Sequence, residues 1–182
     1  RQPRSQLTRS VQRPSLRAAI AGMGYWLPSD VVTSDEVERR IAAASADHGF
    51  VPTPGVVAER TGVLERRYKA DGIDVSDMAA SASRDALAQA GLAAEDLDLI
   101  IFASSSQDMV EPATGHIVSH KLGASAVVFD VKNACNSFMQ GMQVADSLIR
   151  TGQYRKVLVC TGEAPSIAVR WGLRDWADMK RS

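Results

Sequence analysis

Cysteine is scarce in this sequence: only Cys135 and Cys160 occur among its 182 residues. Two thiols so far apart make a disulfide scaffold a poor expectation and a reducing, cytoplasmic setting the natural one. Net charge is absent as well, because 21 Lys plus Arg offset 21 Asp plus Glu. That balance carries no mark of nucleic acid or an anionic membrane as a partner. No apolar run approaches the ~20 residues that crossing a bilayer needs, so no membrane span is expected. Low-complexity segments and short repeats are missing too. What is present is an ordinary globular mixture, 45% hydrophobic and 23% charged, at a length that suits one domain or a large part of one.

The ends stand apart from the rest. "RQPRSQLTRSVQRPSLR" is basic and polar without the apolar core of a signal peptide, so residues 1–15 are expected to be a flexible, solvated leader. "WGLRDWADMKRS" at the other end contains no closing element.

Between them the pattern becomes periodic. "LRAAIAGMGYWLP" predicts a buried strand from Leu16 to Met23, ended by Gly24 and Pro28. Its Gly22 and Gly24 resemble the start of a dinucleotide-binding loop. Leu27 stands where the third glycine belongs, however, and Pro28 follows at once, which excludes a Rossmann site. "TSDEVERRIAAA" predicts a helix with Thr33 or Ser34 as its N-cap, and His48 to Gly62 predicts a loop with Pro52 and Pro54. In "DVSDMAASASRDALAQAGL", Ser76 is expected to cap a helix with Met78, Ala79, Ala82, Ala86, Leu87 and Ala90 as its apolar stripe. "LDLIIFASSS" then predicts a strand buried on both faces, "ATGHIVSHKLG" a short helix, "SAVVFDV" a second buried strand, and "KVLVCTGE" another. Alternation at this spacing predicts an α/β fold with a largely parallel or mixed sheet and helices on its faces.

Cys135 follows the second strand and stands where a helix begins. Phe138, Met142, Ala145, Leu148 and Ile149 recur at steps of three and four after it, and Gly152 ends the run. A cysteine in the first turn of a helix meets unpaired backbone N–H groups and the positive end of the helix dipole, which favour thiolate over thiol. The same N–H groups could stabilise the oxyanion formed when that thiolate attacks a thioester. On placement alone two readings stay open, a nucleophile or a small buried core residue. Cys160, inside the aliphatic "VLVC", is expected to be packing.

"FDVKNACNSFMQGMQVADSLIRTGQYRKVLVCTGE" resembles the nucleophile segment of the thiolase-fold condensing enzymes, specifically the type III ketosynthases. "ERTGVLERRY" (Glu59 to Tyr68) is similar to that family's Arg-Thr-Gly segment, and "LDLIIFASSSQD" matches as well, so the likeness covers roughly residues 16–165. The resemblance implies the N-terminal half of a thiolase-like fold over residues 16–182, with a mixed sheet and helices on both faces. It implies that Cys135 is acylated by an acyl-CoA or acyl-carrier-protein thioester and that Claisen condensation then gives a β-ketoacyl product. It implies a homodimer, no cofactor beyond the thioester substrate, and Arg60 and Thr61 near the mouth of the CoA tunnel. A surface turn is the competing reading for those two. The family's adenine-stacking Trp has no aromatic counterpart around Val56.

Glu111, before Pro112, resembles the subgroup that joins two fatty acyl-CoA chains head to head, in which a glutamate from one subunit assists deprotonation in its neighbour's site. Abstracting a proton α to a thioester needs a base, and partial burial would suit a Glu to that role. The competing role for Glu111 is stabilising the following helix through its dipole. His116 and His120 share a helical face, but they lack a third ligand at familiar spacing, so metal is not expected. Glu163 is read either as orienting groups near the site or as a loop-end acid, and Trp171 and Trp176 as packing. The family's catalytic His and Asn belong to a C-terminal half, so this chain alone is expected to be poorly soluble and unable to condense. The alternatives are a non-catalytic partner half and an O- or N-acyltransferase of specialised metabolism.

Overall fold

The computed structural model describes residues 16–178, so the leader expected at residues 1–15 lies outside it. In chain order, β1 (Asp30–Thr33) leads into α1 (Ser34–Ala44), where the Thr33 hydroxyl caps the helix by accepting the Glu36 amide at 3.2 Å. A short helix α2 (Val56–Thr61) precedes β2 (Glu65–Tyr68), which pairs antiparallel with β1 so that Val31 lies opposite Arg67. The long helix α3 (Val75–Ala90) ends at Gly91 in the left-handed conformation. Then β3 (Leu99–Ala103), α4 (Thr114–Leu122), β4 (Val127–Val131), α5 (Ser137–Arg150) and β5 (Val157–Cys160) alternate. The three strands form one parallel sheet in the order β4-β3-β5, with Ile101 facing Phe129 on one side and Val159 on the other.

This arrangement bears out the α/β expectation and explains the "LIIFA" run. All five residues of β3 are buried, because the strand is central and both of its faces are covered. Ile100 and Phe102 join Met78, Ala79 and Leu87 of α3 and Val118 of α4 on one face. Leu99, Ile101 and Ala103 meet Ala145 of α5 on the other, with Leu148 packed alongside. Each fully buried Leu or Ile of this kind contributes about 1.5–3 kcal/mol. β4 was expected to be equally buried but is only half so, because it lies at the sheet's edge among the described residues.

Other expectations need correction. Leu16 to Met23 is not a strand: it runs irregularly, with Ile20 67% and Met23 69% exposed. An apolar run becomes a strand only when a neighbour takes its backbone bonds, and the described residues supply none. Instead the segment lies along α3, where the Met23 amide donates to Gln89 Oε1 at 2.6 Å. A Cβ at Gly22 would overlap the Ala86 carbonyl, and one at Gly24 the Ala82 carbonyl, so these glycines permit close packing on α3's alanines. The loop expected over His48 to Gly62 contains α2, nucleated where Glu38 of α1 accepts the Gly55 and Val57 amides at 2.9 and 2.8 Å. The cap of α3 is Asp74, whose amide donates to Asp77 Oδ2 at 2.9 Å, while Ser76 is buried inside the helix.

The face that α5 buries also differs from its apolar stripe. Ser137, Gly141 and Ala145 line the contact with the sheet, whereas Phe138 is 41% exposed. Small residues at steps of four let the helix lie flush on β3 and β5, which pushes the larger side chains to its flanks.

Candidate active site

Parallel α/β sheets present ligand sites at the carboxyl ends of their strands. Cys135 lies at that end of β4, exposed, on a turn that closes before α5 begins. It therefore precedes the N-cap Asn136 and does not sit in the helix's first turn as expected. The turn is tightly drawn. The Asn136 amide donates to the Asn133 carbonyl at 3.0 Å and the Ser137 amide to the Ala134 carbonyl at 3.1 Å. The buried Ser137 hydroxyl donates to the Ala134 carbonyl at 2.7 Å and accepts the Asn133 amide at 2.9 Å. These bonds hold Ala134 at φ 46, in the left-handed region that non-glycine residues rarely adopt. Such strain persists only where its surroundings over-determine it. Because the Asn136 and Ser137 amides already close the turn, the unpaired N–H groups of α5 begin at Phe138.

The loop between β3 and α4 runs beside this turn. The Ser104 amide donates to the Val131 carbonyl at 3.2 Å, and Lys132 Nζ donates to Gln107 Oε1 at 2.5 Å. Glu111 belongs to this loop, before a cis peptide bond to Pro112, and is exposed, so the partial burial expected of it is not found within this chain. The Thr114 and Gly115 amides at the start of α4 are taken by the Asp130 carboxylate at 3.1 and 2.9 Å, so Asp130, not Glu111, caps that helix. Burial pushes the Asp130 carboxyl above its ordinary value, against the pull of those two amides.

Glu163 is the residue that sequence reasoning left undecided. Its carboxylate stands at the end of β5 and accepts four hydrogen bonds from the three serines that follow β3. The Ser104 hydroxyl reaches Oε1 at 2.8 Å and the Ser105 amide reaches it at 2.7 Å, while the Ser105 and Ser106 hydroxyls reach Oε2 at 2.9 Å each. Burial alone would push this carboxyl up. The Ser105 amide and the hydroxyls of Ser104, Ser105 and Ser106 outweigh it and hold the group below its ordinary value of 4.5. A carboxyl lowered in the fold contributes stability that is complete above its unfolded value and is lost as pH falls through the folded one. In a thermal melt series of the full-length protein, Glu163→Gln should therefore flatten the loss of Tm below pH 4.5. Identical acid limbs for the two proteins would refute that assignment.

Arg60 and Thr61 are not brought to the Cys135 turn by any described hydrogen bond or ion pair. They sit exposed on α2, where the Thr61 hydroxyl donates to the Val57 carbonyl at 2.6 Å and accepts the Val63 amide at 3.1 Å. His116 and His120 are both exposed on α4, and no cluster of three or more His, Cys, Asp or Glu forms among the described residues. Cys160 is buried, and that burial pushes its thiol up to about 12, as befits a packing residue. Trp176 meets Phe50 edge to face at 5.3 Å, and Arg40 covers Tyr68 and Trp171 at 5.6 and 5.9 Å. Both tryptophans thus pack within the chain.

The fold defines a class, that of the N-terminal half of a thiolase-like protein. The crystal structure of 3-oxoacyl-[acyl-carrier-protein] synthase III from Aquifex aeolicus superposes with a TM-score of 0.75 at 33% identity, covering 85% of this chain and 47% of that one. A variant of Xanthomonas campestris OleA superposes with a TM-score of 0.75 at 32% identity, covering 84% and 45%. The family profile described as 3-Oxoacyl-[acyl-carrier-protein (ACP)] synthase III matches residues 129–179, the stretch that contains Cys135 and Glu163. The Beta-ketoacyl-[acyl-carrier-protein] synthase III of Caulobacter vibrioides is 40% identical over 165 residues, 90% of this chain and 47% of that protein. Over most of its length the chain is therefore similar to the type III ketosynthases. It spans about half the length of the curated relatives it matches.

Proposed function

We propose that this chain is the nucleophile-bearing half of a type III ketosynthase and that Cys135 carries the acyl group. The observation that supports this most is an exposed cysteine on a strained turn at the carboxyl end of a parallel strand, directly before a helix. The Cys135 thiolate attacks the carbonyl carbon of an acyl-CoA or acyl-carrier-protein thioester. A new C–S bond forms as the donor's C–S bond breaks, and the donor leaves as its thiolate, which takes a proton from solvent. A carbon nucleophile then attacks the acyl-cysteine, releases Cys135 and yields a β-ketoacyl product. The relatives are about twice this length, and the family's His and Asn, on a C-terminal half, would serve that second step. Exposed Ile20, Leu27, Val110 and Met139 are consistent with further protein packed against this half, either that C-terminal half or the partner in a homodimer.

The carbon nucleophile arises in one of two ways. A malonyl thioester supplies it by losing CO2, whereas a second acyl-CoA supplies it by losing an α-proton to Glu111. The exposed acid before Pro112 favours the second route, with Glu111 reaching the neighbouring subunit. Arg60 and Thr61 are assigned to the CoA entrance, and no metal or prosthetic group takes part. A cytoplasmic setting accords with the two free thiols, and no described helix is long and apolar enough to cross a membrane. Incubating the full-length protein with labelled acyl-CoA, with and without malonyl thioester, tests the route. A product holding two acyl chains, formed without CO2 release and lost in Glu111→Gln, is expected. Malonyl-dependent CO2 release that Glu111→Gln leaves unchanged would remove Glu111 from the mechanism.

A further inference from the structure

The Glu163 carboxylate lies at the carboxyl end of the sheet, the end that holds the Cys135 turn, and all four of its recorded partners belong to Ser104, Ser105 and Ser106. Those serines do more than accept its company. The Ser104 hydroxyl, almost wholly buried, also approaches the Gly162 carbonyl at 2.7 Å and accepts the Ser106 amide at 3.0 Å. The Ser106 hydroxyl accepts the Ala164 amide at 3.0 Å. The first three residues after β3 are thereby fastened to Gly162, Glu163 and Ala164 just beyond β5, across 57 to 59 positions of sequence. Ser104 is at the same time bonded to the last residue of β4 through Val131. The path of the whole β3–α4 loop, out to Glu111 and Pro112, starts from this knot.

We infer that Glu163 is a positioning residue, which acts through the Ser104–Ser106 turn to set where the β3–α4 loop delivers Glu111. The proposal rests on the deprotonating role assigned to Glu111 above. A surface acid without such a duty would not use both carboxylate oxygens on three successive residues of a single loop. The Ser105 amide and the Ser105 and Ser106 hydroxyls donate to Glu163, while Ser104 shares its one hydroxyl proton between Glu163 Oε1 and the Gly162 carbonyl. The site is thus matched to an ionised carboxylate, and a carboxamide offers an N–H where an acceptor is wanted. The downward shift of the group's pKa under these hydrogen bonds agrees with that match. Anchorage close to the loop's origin is amplified along its length, and an error of about 1 Å at a reacting group can cost on the order of 10²-fold in rate.

The test is a double-mutant cycle between Glu163→Gln and Glu111→Gln in the full-length protein. Acylation of Cys135 is followed by intact mass and condensation by product formation. Glu163→Gln is expected to leave single-turnover acylation within about threefold and to lower condensation kcat on the order of 10²-fold, with little change in KM. The two losses should not multiply, because both remove the same placed carboxylate. Glu163→Asp, which keeps the charge on a shorter arm, should recover part of kcat. If Glu163→Gln does not fold, Ser105→Ala with Ser106→Ala removes two hydroxyl donors and should give the same selective loss. Losses that multiply, or acylation and condensation falling together, would overturn the inference, as would a silent Glu163→Gln beside a damaging Glu111→Gln. A silent Glu111→Gln would instead bring down the role of Glu111 itself, and the inference with it.

Discussion

Cys135→Ala in the full-length protein should give no acyl adduct by intact mass after exposure to acyl-CoA, and should lower condensation on the order of 10³-fold or more, as loss of a covalent nucleophile does elsewhere. The chain offers only one other thiol, and the structure separates the two cleanly. Cys135 is exposed on its turn, whereas Cys160 is buried in the core with its thiol pushed up to about 12, so at neutral pH Cys160 is neither reachable nor ionised. Cys160→Ala should therefore keep the adduct at a single acyl group per chain. An adduct that survives Cys135→Ala, or one that Cys160→Ala removes, would end the assignment of the nucleophile. Absence of any adduct on the wild-type protein would favour a non-catalytic partner half.

Gly141→Val should be the most damaging packing change near the site. A Cβ at this position would sit 2.7 Å from Ala103 Cβ and 3.0 Å from Val159 Cγ1, closer than carbon atoms pack. Neither neighbour can retreat, because β3 is buried on both faces and β5 pairs with it. Replacing glycine inside a helix ordinarily gains up to about 1 kcal/mol of propensity. Overpacking of a core costs about 1–3 kcal/mol and occasionally more, so the clash wins. A fall in Tm of several degrees is expected, since 1 kcal/mol moves a protein of this size by roughly 2–4 °C. Lifting α5 also displaces Ser137, whose hydroxyl braces the Cys135 turn, so acylation should slow along with the loss of stability. Ala103→Gly combined with Gly141→Val should restore part of both. A Tm equal to that of the wild type would show that α5 does not lie flush on the sheet.

Much of the frame could be read without coordinates. The β3 run, the Thr33 cap of α1 and the helix-ending glycines at 91 and 123 are local signals, carried by residues a few positions apart. Cys135 was legible for the same reason, since strand, turn and helix follow one another within a short stretch. The misreadings share a different cause. Leu16 to Met23 has the composition of a strand, yet strand formation depends on a partner that no local window contains. The prolines at 52 and 54 hid α2, because the anchor that starts it, Glu38, lies 17 positions back. In α5 hydrophobicity pointed to Phe138 and Met142, while the sheet selected the small residues that let two backbones approach.

The sequence alone determined the α/β alternation, the central apolar strand and the cysteine at the mouth of a helix, since each follows from periodicity or capping over a few residues. Only the tertiary structure decided which face of α5 is buried, how Ala134 is strained, and that Glu163 holds the serines after β3. Those depend on pairs brought together from distant parts of the chain, and hydrogen bonds across 58 positions leave no periodic trace in sequence.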